Sequence, residues 1–85
     1  MTEEILKLLR SGRSVVGVKQ TIIAVETGKV ECVLLAADAD KRFKQRVTGI
    51  CEKYRVPVLP APPRASLGRE CGIEVGAAVV GIRKA

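Results

Sequence analysis

At 85 residues the chain has room for one domain with one modest core, and its 47% hydrophobic share excludes a disordered segment. Phe43 and Tyr54 are the sole aromatics, which excludes a binder that works chiefly by stacking bases on rings. A formal net charge of +6 favours a polyanionic partner, and the lack of histidine argues against acid–base catalysis near neutral pH and against a zinc site.

Glu3 and Glu4 belong to a first helix, where negative charge suits the dipole, and Thr2 stands at its capping position. Ile5, Leu8 and Leu9 form its apolar stripe, and Gly12 stops it. Val15 and Val16 predict a short strand ending at Gly17, followed by a helix from about Lys19 to Thr27 that Gly28 closes. Cys32–Ala37 is continuously apolar, as expected of a strand covered on both faces. After the loop Asp38-Ala39-Asp40, Phe43, Val47, Ile50 and Tyr54 recur at helical spacing. Val56–Leu59 reads as a strand, Pro60–Pro63 as a stiff extended connector, and Ser66–Cys71 as a short helix broken by Gly72. Val75–Ile82 reads as the last strand. Four strands alternating with four helices predict an α/β fold, a single three-layer α/β/α sandwich with a four-stranded mixed sheet over residues 1–85.

No apolar run approaches a membrane span, and no signal segment is expected. Cys32, Cys51 and Cys71 are odd in number and form no CxxC pair, so they are expected as small buried hydrophobes in a reducing cytoplasm. No metal, cofactor or catalytic residue is predicted. Asp38 and Asp40 fit either acid–base chemistry or the capping of a helix, and capping is the commoner use.

The segment Gly17-Val18-Lys19-Gln20-Thr21 turns a strand directly into a helix. Helix N-termini offer unpaired N–H groups to phosphate oxygens, and Lys19, Gln20 and Thr21 add a charge and hydrogen-bonding groups. The plainer alternative is an ordinary helix start with solvated polar residues. Ile23 falls on the polar side of this helix, as a stray apolar residue or as part of a contact surface. In Gly72-Ile73-Glu74-Val75-Gly76, flanking glycines let the backbone approach a ligand, unless Ile73 and Val75 simply begin a buried strand.

Three blocks carry a family likeness: GVKQT at Gly17–Thr21, VLLAADAD at Val33–Asp40 and, most specifically, LGRECGIEVGAAVV at Leu67–Val80. With them the chain resembles the L-seven-Ae/L-thirty-e superfamily of kink-turn RNA-binding ribosomal proteins, and most its short bacterial members of the YbxF and YlxQ type. The resemblance implies a grip on a duplex bent at a bulge beside tandem sheared G·A pairs. By similarity, Gly17, Lys19 and Gln20 enter the widened groove and read guanines, with Thr21 beside them. Asp40, Arg64, Ile73, Glu74 and Val75 fall where relatives clamp a flipped-out base. Lys19-Gln20 replaces the Asn-Glu of many relatives, as in the short bacterial members. Ile23 and Thr27 stand where the family usually carries basic residues, which should remove phosphate contacts.

The expected partner is structured RNA, a kink-turn in ribosomal RNA or in a riboswitch-like RNA, with ribosomal proteins as further neighbours and the protein acting as a monomer. Two other readings stay open. One is a protein-interaction module on the same scaffold with weakened RNA binding. The other is the recognition domain of an RNA-modifying enzyme whose catalytic part lies on a partner subunit.

Overall fold

The computed structural model describes residues 3–73 and 75–85. Thr2, the expected cap of the first helix, and Glu74, an expected site residue, lie outside the described residues. In chain order the elements are α1 (Glu3–Leu9), β1 (Ser14–Val16), α2 (Val18–Glu26), β2 (Val30–Ala36), α3 (Lys41–Lys53), β3 (Val58–Ala61), α4 (Arg64–Glu70) and β4 (Val79–Arg83). The strands form one mixed sheet in the order β1-β4-β2-β3, antiparallel on both sides of β4 and parallel between β2 and β3.

The pleat of β2 explains the three layers. Cys32, Leu34 and Ala36 point to one face, where Ile5 and Leu9 of α1 and Leu67 of α4 cover them. Val33 and Leu35 point to the other, under Ala24 and Val25 of α2 and Val47 and Cys51 of α3. A strand covered on both sides has no polar face, which is why this segment reads as an unbroken apolar run. Leu34 and Leu67 are fully buried, and each such side chain stabilises the fold by about 1.5–3 kcal/mol.

Four elements differ from the sequence expectation by two residues or more at a boundary, and among them β2 begins at Val30 rather than Cys32. β3 is Val58–Ala61, two residues later than Val56–Leu59, and Pro60 lies inside the strand rather than in a connector. β3 is an edge strand, so a residue with no N–H is tolerated there. β4 begins at Val79, not Val75, because the preceding backbone bonds elsewhere: Ala77 N–H donates to Arg64 O at 3.1 Å. α4 starts at Arg64, two residues before Ser66, with Pro63 as its N-cap. On α3 the expected apolar position Tyr54 is the exposed C-cap, and Cys51 fills the core instead.

Candidate functional site

β1, β2 and β3 run in one direction and β4 in the other. The C-terminal ends of the first three therefore lie beside the N-terminal end of β4. This gathers Gly17, the loop after Ala36, the start of α4 and the segment before Val79 at one end of the sandwich. Backbone bonds tie these pieces together. Gly17 N–H donates to Val79 O at 3.4 Å, Ala36 N–H to Ala78 O at 2.9 Å and Ala37 N–H to Pro62 O at 3.3 Å.

Gly17 is the N-cap of α2, with φ 103° and ψ 151°, a conformation that strains any residue with a Cβ. The cap has no side-chain hydrogen bond, and the helical ladder opens with Thr21 N–H on Gly17 O at 3.1 Å. The amides of Val18, Lys19 and Gln20 thus precede the ladder, and all three residues are exposed. With the Lys19 ammonium alongside, this corner suits an anion.

Thr21, expected beside the groove-reading residues, is placed inside the fold. It is 1% exposed, and its hydroxyl donates to Val15 O at 3.1 Å, so it fastens α2 to β1 and presents no group outward. Gly81 makes room for it, since a Cβ there would stand 3.2 Å from the Thr21 methyl. A threonine in a polar helix start looks like a surface residue in sequence, because one hydrogen bond is enough to satisfy it in the core. On the outward face of α2, Ile23 is 45% exposed, one turn beyond Lys19.

Asp40 caps α3, accepting from the N–H groups of Arg42 at 2.9 Å and Phe43 at 3.3 Å. Its neighbour Asp38 takes the longer-range task. Asp38 Oδ1 accepts from Arg64 N–H at 2.8 Å and lies 3.6 Å from Arg64 Nε. The N–H donor holds this carboxyl below the usual aspartate range, and the guanidinium charge adds to the effect. In sequence Asp38 and Asp40 share the same alternatives, acid–base chemistry or capping, and only the family likeness put Asp40 in the site, since nothing in the spacing shows which carboxylate reaches α4.

Asp38, Arg64, Ala65 and Gly76 line an open cleft of about 340 Å³. Its far wall depends on two glycines. A Cβ on Gly68 would collide with Val75 O, and one on Gly76 would lie 3.1 Å from Arg64 Cβ. Ile73 is half-buried and packs under α4, whereas Val75 is 72% exposed at the rim. Expected as the start of a strand or as a ligand-facing segment, these residues divide: Ile73 anchors, and Val75 projects.

The cysteines carry no reactive signature. Cys32 and Cys51 are buried, Cys71 is half-buried, and burial pushes all three thiols up. Among the described residues no three His, Cys, Asp or Glu side chains cluster closely enough to hold a metal ion.

The sequence model of the ribosomal protein L7Ae/L30e/S12e/Gadd45 family matches residues 1–85. The chain belongs to this family. Within it, this L7Ae/L30e-type chain is 42% identical over 76 residues to an RNA-binding protein of Geobacillus kaustophilus, covering 89% of this chain and 93% of that protein. The RNA-binding protein YbxF of Geobacillus stearothermophilus is 41% identical over the same shares, which places the chain with the short bacterial members. Among solved structures, the 15.5 kD RNA-binding protein of Giardia lamblia superimposes with a TM-score of 0.86 at 30% identity, over 100% of this chain and 78% of that one. A Bacillus halodurans protein described as of unknown function does so with a TM-score of 0.85 at 31% identity, over 99% and 88%.

Proposed function

We propose that this L7Ae/L30e-family chain is an RNA-binding protein, acting as a cytoplasmic monomer without catalytic activity, that recognises a kink-turn. The observation that carries this reading is the gathering of three separate sequence blocks at one end of the sheet. The α2 corner at Gly17–Gln20 offers backbone N–H groups, an ammonium and an amide to the G·A pairs of a widened groove. Beside it, the Asp38–Arg64 cleft, with Ile73 and Val75 on the adjoining segment, suits a base turned out of the bulge, and Glu74, between them in the sequence, is proposed to act with them. Asp40 serves indirectly, by holding the start of α3. RNA-binding relatives at about two-fifths identity support the partner class.

A gel shift at physiological salt tests it, comparing a kink-turn with the same duplex stripped of its G·A pairs. The kink-turn should bind at least roughly tenfold more tightly, the scale of one lost bidentate base contact. Equal affinity for the two RNAs contradicts the reading. A protein-docking module is the second reading, favoured by the exposure of Ile23 and Val18 on α2. It predicts weak, undiscriminating binding in the same assay.

A further inference from the structure

One face of α3 is unused by the site at its N-terminal end. The helix buries Val47 and Cys51 and half-buries Phe43 and Ile50. Away from that face, Arg42, Arg46, Gly49 and Lys53 follow at steps of four, three and four residues, which aligns them in a single row. At the rise of an α-helix the row is about 16 Å long. All four residues are exposed. Among the described residues neither arginine has an ion-pair partner, and Lys53 leans on the Tyr54 ring, 5.7 Å from its centroid. The helix has one acid, Glu52, and it lies off the row.

Gly49 is the second observation. Glycine weakens a helix interior, so it is normally kept for a close approach or an unusual backbone. Neither applies inside the molecule: a Cβ at Gly49 would meet nothing within 4 Å, and its φ is not positive. The remaining consequence is outward, a gap among three cations where a bulky chain can come close.

α2 and α3 lie on the same face of the sheet, and both begin at the end that carries the candidate site. The row therefore starts near the level of Lys19 and leads away from it. Building on the kink-turn reading, we propose that Arg42, Arg46 and Lys53 hold the phosphate backbone of one duplex arm leaving the bend, with Gly49 at the closest approach. The contact is sequence-blind, since it reads charge and shape. It also supplies, on α3, the positive charge that Ile23 and Thr27 lack on α2.

The test titrates the protein with a kink-turn whose arms are trimmed to a few base pairs and with one whose arms are extended, across a salt series. Wild type should favour the extended RNA by roughly tenfold, with a steeper salt dependence. R42A/R46A/K53A should lose that advantage and lower the salt slope by about 2–3, while still preferring the kink-turn to the duplex without G·A pairs. Gly49→Gln should raise the melting temperature yet weaken binding to the extended RNA, a combination that a merely structural glycine does not give. An unchanged salt slope in the triple variant overturns the proposal. Failure of the kink-turn reading appears separately, as equal affinity for the two duplexes. The salt slope on either duplex still decides whether the row binds backbone.

Discussion

Asp38 joins two loops that are 26 residues apart in the chain, accepting from the amide of the first residue of α4 while pairing with its guanidinium. The arrangement fixes where Arg64 stands at the cleft mouth. Its pH dependence follows from the lowered carboxyl pKa. The clamp is complete above the ordinary aspartate value of about 3.9 and is lost as pH falls through the lower, folded-state value. Hydrogen exchange should therefore show the Arg64 amide still protected near pH 4, correcting for intrinsic rates. In Asp38→Ala that protection should vanish at every pH, and kink-turn affinity should fall several-fold with the domain still folded. Unchanged exchange in Asp38→Ala contradicts the clamp. Thr21 shows the opposite case, a polar residue whose chemistry is spent within the fold.

Among the elements, α4 shapes the site most, through what it lacks. Gly68 lies on the side of α4 that meets the loop, and the Val75 carbonyl occupies the space a side chain would need. Ile73 N–H donates to Gly68 O at 3.0 Å, so the loop also hangs from the same residue. Gly68→Ala should push the loop outward and destabilise the domain by about 1–3 kcal/mol, the usual cost of overpacking. The loss of RNA affinity should persist at temperatures where the variant is fully folded. Melting curves and binding isotherms check the two parts, and a variant as stable as wild type contradicts the close packing. Sequence patterns expose these elements unevenly. β2 and the apolar spacing of α3 are plain, since burial on both faces and a helical period leave direct marks. Gly68 does not, because the glycine is explained by a carbonyl seven residues along the chain. Val75–Ala78 reads as strand from its apolar residues, yet its hydrogen bonds go to α4 and to the end of β2.

For the whole molecule, the layered sandwich follows from alternation of elements, and the meeting of the three sequence blocks follows from strand direction. Sequence alone left that meeting open, since residues do not announce whether β4 runs with or against β2. The molecule measures 30 × 29 × 21 Å along its principal axes. On the proposed reading it meets a bent duplex with the candidate site at one end, and the charge of +6 draws the arms toward it. The most direct test is energy transfer between dyes on the two arms of a kink-turn duplex, measured without divalent ions as protein is added. Transfer should rise to a plateau on the kink-turn and stay low on the duplex lacking G·A pairs. Binding that leaves transfer unchanged, or raises it equally on both RNAs, contradicts recognition of the bend.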